Sequence, residues 1–152
     1  DLFELPALYR TAREALELMM DHRFHGGNVC TVAQLRTPLL LKDLEGRSDL
    51  IAKEIRALAA HDKKKDTQYC ETLYHYLTCC RSLKKTCDAL FTHRNTVLYR
   101  IRRIEDDFAI PLDEPAAHAD LLVGVSLLLF KEKGPDFFLH TIDHNDREEQ
   151  ES

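Results

Sequence analysis

The sequence predicts a mainly α-helical protein, a helical bundle preceded by a short α/β segment. Apolar residues recur through most of the chain at the three- and four-residue spacing of a helix face. One short run, Val29-Cys30-Thr31-Val32, has the β-branched character of a strand. The core is therefore expected to be built from helices, with a single strand near the N-terminal end.

The first part of the chain alternates helical patterns with turn signals. An amphipathic helix is predicted from Leu5 to about Phe24, and the glycines at 26–27 end it. Proline loses no intrahelical hydrogen bond in the first turn of a helix, so Pro38 is expected to begin a short helix that ends at Gly46.

The second part is predicted to be entirely helical. Residues 48–49 are a Ser-Asp pair suited to cap a helix over 49–60. The charged run 61–66 is interpreted as a connector, after which helical spacing resumes over 67–79. Three more helices are predicted at short intervals: Ser82 to Leu90, Asn95 to Phe108, and Pro115 to about Glu132. The last has a wide apolar face that must be buried against its neighbours.

These patterns divide the 152 residues into three parts. Residues 1–46 are interpreted as the end of an upstream domain, because the chain begins with Asp1 rather than Met and we expect it to come from a longer protein. Residues 49–133 form the helical domain. Residues 134–152 are polar and acidic without apolar periodicity, so a disordered tail is predicted there rather than a functional acidic arm.

Composition favours a soluble protein of a reducing compartment. The longest nearly uncharged stretch, Leu121 to Phe130, is shorter than the roughly 20 residues that a membrane span needs. The five cysteines are odd in number and lack CxxC spacing, which indicates neither a disulfide framework nor a zinc ribbon. We therefore expect a cytoplasmic protein with no bound metal and no other cofactor.

Charge is distributed unevenly along the chain. The net charge of -5 is unusual for a nucleic-acid-binding protein. Between Arg81 and Ile104, however, seven positive residues stand against Asp88 alone, a local excess of +6. This segment is predicted to form a basic patch, although a basic amphipathic helix can also be simply a solvated surface.

The basic segment, residues 82–104, has the layout of a helix-turn-helix. A short helix capped by Ser82 is followed by a three-residue turn at 91–93 and a longer second helix. The second helix divides into two faces at about 100° per residue. Its apolar stripe, expected to face the core, consists of Val97, Ile101, Ile104 and Phe108.

The other face of the second helix suits contact with double-stranded DNA. Arginine can bond bidentately to guanine and asparagine to adenine, so side chains at the helix start are the candidates for base reading: His93, Arg94, Asn95 and Thr96. Further side chains are predicted to contact phosphates, which fix register without reading sequence: Lys84, Lys85, Tyr99, Arg100, Arg102 and Arg103.

The same residues carry a family resemblance. The run over 90–105, with its His-Arg-Asn-Thr-Val and Tyr-Arg motifs, closely resembles the C-terminal helix-turn-helix of the PucR/CdaR family of bacterial transcription regulators, and the similarity extends over 73–130. Residues 1 to about 45 are similar to the end of the GGDEF-like domain that precedes this module in many members. The resemblance implies the DNA-binding output domain of a ligand-responsive regulator, with an upstream sensor domain and RNA polymerase as partners.

Two sites depart from the family pattern. Cys79-Cys80-Arg81 stands where the family usually has a turn rich in glycine or asparagine, and Cys87 occupies a site usually held by alanine. Cysteine packs as a small hydrophobic residue, so both are tolerable. A redox switch through these cysteines is the alternative to simple packing.

The sequence also bears on two other classes of function. An enzyme is not expected, because Cys79, Cys80, Cys87 and His93 match no metal-ligand spacing and the chain has no glycine-rich phosphate loop, so no catalytic residue is assigned. The stronger alternative is a helical interaction module, in which the helices over 49–60 and 67–80 dimerise the protein without direct DNA reading. Dimerisation is also compatible with DNA binding, since regulators commonly pair two helix-turn-helix units, and a homodimer is expected.

Overall fold

The structure, a computed structural model, describes residues 4–22 and 31–139, apart from the side chains of residues 22 and 32. No strand occurs within these ranges, which confirms the predicted helical bundle. Short 3-10 turns at Ser48–Leu50 and Pro115–Ala117 accompany the helices. The helices are α1 Leu5–His22, α2 Val32–Asp43, α3 Lys53–Lys65, α4 Tyr69–Thr78, α5 Leu83–Leu90, α6 Arg94–Phe108 and α7 His118–Lys133.

The chain divides into two compact units. One spans Gly46–Leu129, and the other combines residues 1–45 with residues 130–152. None of the described helices has both the length and the apolar character that a membrane span requires.

Helices α1 and α2 pack against each other in the terminal unit. Ala15 and Leu18 of α1 and Leu35 and Leu41 of α2 are buried. The remainder of α1 is less covered. Large apolar side chains lie on its exposed surface: Leu5, Leu8, Tyr9, Leu16 and Met20. Helix α1 is therefore apolar on more than the side that meets α2.

The strand predicted over 29–32 is wrong where the structure describes it. Thr31 is the N-cap of α2: its hydroxyl accepts from the Gln34 backbone N–H at 3.3 Å, and the Gln34 side chain accepts from the Thr31 N–H at 2.8 Å. This is a capping box, whose Thr-x-x-Gln signature outweighs the β-branched composition of the run. Val29 and Cys30 lie outside the described residues.

Pro38 lies inside α2 rather than at its start. Because the capping box begins the helix at Val32, the proline falls in the second turn, where its missing N–H leaves the Gln34 carbonyl without the usual partner. The side chain of Pro38 is buried. Helix propensity alone disfavours proline at this position, which Pro38 occupies while its side chain packs inside the terminal unit.

The first residues of the predicted tail are structured. Helical structure resumes at 136–139, and Phe138 is 2% exposed. Its ring lies 6.3 Å from the ring of Phe130, with which it shares the terminal unit. Residues 140–152 lie outside the described part of the chain.

The central unit has an apolar core drawn from α3, α4, α6 and α7. Gly124 of α7 lies against α3: a Cβ there would be 3.5 Å from Ile51 and 3.7 Å from Ile55. The fully or nearly fully buried side chains come from α3, α4, α6, α7 and the segments beside them: Ile51, Ile55, Leu58, Leu73, Leu77, Val97, Ile101, Ile104, Ile110, Leu112, Leu121, Val125 and Leu129. Helix α6 is thus fixed in the domain by one apolar face.

Both predicted ends of the third helix are wrong. The 3-10 turn Ser48–Leu50 precedes α3, whose N-cap is Ala52 without a side-chain hydrogen bond. At the other end the predicted connector 61–66 forms the last turn of α3 and its C-cap, Asp66. The charged run stays helical because Asp62 continues the buried face of Ile55 and Leu58.

Helix α4 ends in a tight left-handed turn at the residues where the family resemblance implies a small turn. The Cys80 N–H donates to the Leu77 carbonyl at 3.2 Å and the Arg81 N–H to the Tyr76 carbonyl at 2.8 Å. This pair of bonds is the Schellman ending, which normally places glycine where Cys80 stands. Cys80 has φ 51° and Arg81 φ 62°, so both residues adopt a backbone conformation that L side chains disfavour.

Replacing Cys80 by glycine is expected to raise the free energy of unfolding by about 1 kcal/mol, because glycine adopts this conformation without steric cost. Urea unfolding measures the change. Cys80→Ala removes the thiol but keeps the Cβ, and should bring no comparable gain. Equal stability of the glycine and alanine variants would contradict the strain assigned to Cys80.

Candidate nucleic-acid interface

Helices α5 and α6 and the turn between them form the predicted helix-turn-helix. Ser82 caps α5, and its hydroxyl accepts from the Lys85 N–H at 3.4 Å. Thr86 is fully buried and donates its hydroxyl to the Ser82 carbonyl at 2.8 Å. The turn 91–93 follows α5, and α6 begins at Arg94 with His93 as its N-cap. The predicted order of short helix, three-residue turn and longer helix is confirmed.

One face of α6 is buried as predicted. Val97 and Ile104 are 0% exposed and Ile101 is 5% exposed, while Phe108 is half-buried. Helices α4 and α5 both pack against α6. The helix is therefore packed into the domain by its apolar face, and its opposite face is directed away from the core.

The four residues predicted to read bases lie together at the N-terminal end of α6. His93, Arg94, Asn95 and Thr96 are all exposed. The His93 side chain makes no capping hydrogen bond, so capping does not occupy the imidazole. The N-terminal end of a helix also carries a partial positive charge and unpaired N–H groups, which favour an approaching phosphate.

Five of the six predicted phosphate contacts are also exposed. Tyr99 is 58% exposed. Arg94 and Arg102 form no ion pair with another described residue, so their charge is not neutralised within the unit. The other exposed candidates are Lys84 and Lys85 on α5 and Arg103 on α6.

Arg100 differs from the other candidates because it binds within the domain. Its guanidinium donates to the Thr72 hydroxyl at 3.2 Å and to the Gln68 side-chain oxygen at 3.0 Å. Arg100 is half-buried and connects the middle of α6 to the start of α4. Sequence reasoning could not identify this role, since its partners are 28 and 32 residues away.

Arg103 is already paired inside the domain. Its guanidinium lies 2.6 Å from the Asp107 carboxylate one turn later on α6. Asp107 raises the pKa of Arg103, and a hydrogen bond to the Tyr69 side chain acts in the same direction. A phosphate contact by Arg103 would therefore have to compete with Asp107.

The charge of α6 reverses along its length. Arg94, Arg100, Arg102 and Arg103 occupy the first two-thirds of the helix, whereas its last turn carries three carboxylates: Glu105, Asp106 and Asp107. Carboxylates repel phosphate, so the N-terminal end of α6 is the end suited to face a nucleic acid.

Partial burial raises the pKa of Glu105, with further contributions from Asp113 and Asp106. The protonated form is thus favoured in the folded state: its stabilising effect is present below the ordinary pKa of 4.5 and is lost as pH rises through the higher folded value. Glu105→Gln is expected to raise the melting temperature at pH 7, by an amount that shrinks below about pH 4. A difference in melting temperature between the two proteins that stays constant from pH 7 to pH 3.5 would show that the raised pKa of Glu105 is not its cause.

A buried aspartate that the sequence analysis missed supports α4. Asp62 is 8% exposed, and its carboxylate accepts from the Tyr69 N–H at 3.0 Å and the Cys70 N–H at 2.8 Å. The Thr67 hydroxyl donates to it at 2.5 Å. Asp62 therefore caps α4, whose own N-cap, Gln68, makes no side-chain capping bond. The sequence signal for this role was the helical spacing that places Asp62 on the same face as Ile55 and Leu58.

Aromatic rings extend this support to α6. The His61 ring stacks on Tyr69 at 5.3 Å and meets Phe108 edge-on at 5.4 Å. Tyr69 and Phe108 also meet edge-on, at 6.4 Å. The end of α3, the start of α4 and the end of α6 are thus joined in one cluster.

The described cysteines are free thiols. Cys70 is buried, Cys79 and Cys87 are half-buried, and Cys80 is exposed. Burial raises the pKa of Cys79, which disfavours the reactive thiolate and favours packing over a redox role for this residue. The described residues contain no group of three or more side chains suited to hold a metal ion.

Comparison with known proteins agrees with this geometry. Residues 69–127, which run from α4 into α7, match the family model of the PucR C-terminal helix-turn-helix domain. The resemblance seen in the sequence is thus confirmed for this domain. In fold and in sequence, this domain is therefore similar to the helix-turn-helix of the PucR transcription regulators.

A particular relative is the proline-responsive transcriptional activator PutR of Bacillus subtilis (strain 168). It is 29% identical over 132 residues, which cover 83% of this chain and 32% of that protein. The chain thus spans about a third of the length of this relative, and the similarity extends beyond the matched domain. No solved structure matches the chain.

Proposed function

We propose that this chain is the DNA-binding output region of a transcription regulator, in which the first turn of α6 enters the major groove. The proposal is carried by the exposure of four side chains at the start of α6: His93, Arg94, Asn95 and Thr96. The apolar stripe of the same helix is buried, apart from the half-buried Phe108. The buried stripe fixes the helix and leaves donors and acceptors free to meet base edges.

Phosphate contacts would hold this helix in register. Lys84, Lys85, Tyr99 and Arg102 are exposed and suited to this role, and Arg103 would exchange Asp107 for a phosphate oxygen. Arg100 can serve in the same way only by giving up its bonds to α4. We therefore assign Arg100 chiefly to positioning α6.

A homodimer is proposed because a single helix-turn-helix buries little DNA surface, and two units commonly occupy half-sites about 34 Å apart. The alternative, a helical interaction module without DNA reading, is less well supported. Seven of the ten residues of α4 are buried within their own domain, which leaves little of that helix for a partner.

Residues 1–46 are proposed to be the end of an upstream GGDEF-like domain, with 49–133 as the DNA-binding domain. Two observations support this: similarity to PutR continues outside the matched domain, and α1 exposes large apolar side chains of a kind that further structure usually covers. By analogy with the relative's name, we propose regulation by a small-molecule effector and contact with RNA polymerase, in the cytoplasm.

Selection from pooled random duplex DNA tests the proposal. The bound pool should become enriched in one motif, and affinity for it should fall steeply between 50 and 200 mM salt because Lys and Arg displace counterions from phosphates. Binding without enrichment would contradict base reading. No salt-sensitive binding at any protein concentration would favour the interaction module.

A further inference from the structure

Phe91 in the turn between α5 and α6 is unusual in two independent ways. Its side chain is 83% exposed, the largest exposed fraction among the large apolar residues of the described ranges. Its backbone has φ 49°, in the left-handed region. A bulky side chain is uncommon in that region, because the left-handed conformation costs it strain energy.

The local hydrogen bonds show which residue the fold would prefer there. The Thr92 N–H donates to the Cys87 carbonyl at 3.0 Å and the Phe91 N–H to the Asp88 carbonyl at 3.3 Å. This is again the Schellman ending, whose left-handed position is normally glycine. The ring of Phe91 is mostly exposed, so burial in the core does not offset the backbone strain.

Phe91 lies close along the chain to the first turn of α6, whose side chains are proposed to read bases. Its Cα is three residues from that of Arg94 and so can be at most about 11 Å away. Phe91 also continues the exposed side of α5 that carries Lys84 and Asp88, since the opposite side of that helix holds the fully buried Thr86. An exposed aromatic ring, attached to a strained backbone position, therefore lies next to the proposed DNA surface.

We propose that Phe91 is a specificity-determining residue that contacts a thymine methyl group next to the bases read by α6. A phenyl ring has no hydrogen-bonding group, and the C5 methyl of thymine is the apolar group that a base pair presents in the major groove. The left-handed backbone is retained because it presents the ring at this edge. This inference rests on the proposed function, since it requires the first turn of α6 to enter the groove.

The test uses the 152-residue chain and the duplex that random selection yields. Phe91→Gly should raise the melting temperature, because strain is relieved, and yet lower affinity for the duplex by about fourfold, the factor that one buried methyl-sized group contributes. The opposite signs separate a DNA contact from a folding role.

Ala109→Gly is the matched control. Ala109 is also an exposed, left-handed residue after a helix, with φ 51°, but it follows the far end of α6, about 22 Å from Arg94 at 1.5 Å per residue. This variant should gain stability and keep its DNA affinity.

Thymine-to-uracil replacement at each position of the duplex identifies the contact. Replacement of one particular thymine should lower the affinity of the unaltered protein about fourfold. The same replacement should not lower the affinity of Phe91→Gly any further. The inference is overturned if Phe91→Gly binds as tightly as the unaltered protein, or if its loss is independent of every methyl group. Failure of the proposed function is distinct: the unaltered chain would then enrich no motif.

Discussion

Replacing Asn95 by alanine is expected to weaken binding to the selected DNA site by about tenfold to a hundredfold, the range for loss of one bidentate base contact. Asn95 is exposed in the first turn of α6 and carries no charge, so the loss should fall on one base position. The salt dependence of binding should stay unchanged. Fluorescence anisotropy over a salt series measures both quantities.

Two variants serve as controls for this result. Arg102→Ala removes a charge proposed to contact phosphate, and should weaken binding to all sequences alike while lowering the salt slope by about one. Arg56→Ala removes an exposed charge from α3 and should change neither. If Asn95→Ala and Arg56→Ala bind alike, Asn95 does not read a base.

Replacing Asp62 by alanine is expected to lower the free energy of unfolding by about 3 kcal/mol, because two backbone N–H groups and a hydroxyl would lose a charged, buried acceptor. Asp62→Asn keeps one acceptor oxygen and should cost less. Asp88→Asn alters an exposed carboxylate and should be close to neutral. Equal stabilities for the Asp62 and Asp88 variants in urea unfolding would contradict the capping role.

The apolar periodicity of the second half of the chain predicted α6 and its buried stripe correctly. Val97, Ile101 and Ile104 are buried because helical spacing places them on one side, and this depends only on local geometry. The N-cap Ser82 and the turn over 91–93 were predictable because they too depend on residues that are close together in the sequence. The exposure of Asn95 and Thr96 follows from that division into faces, whereas His93 and Arg94 are exposed because they lie at the very start of the helix.

Features that depend on distant partners were not predictable in this way. The run 61–66 looks like a solvated connector until the burial of Asp62 against the N–H groups of α4 is known. Arg100 looks like its neighbouring arginines until its partners Gln68 and Thr72 are known. At Thr31 two local signals conflict, because the capping box predicts the start of a helix where the β-branched composition predicts a strand.

The most direct test of the central claim is to map the DNA-contacting surface by NMR. Amide shifts of the isotopically labelled chain would be followed as the selected duplex is added. The largest changes should lie over 93–103, with smaller ones at Lys84 and Lys85, and the exposed surface of α3 should be unaffected. Changes centred on α3, or on α1 and α2 in the terminal unit, would contradict DNA reading by α6.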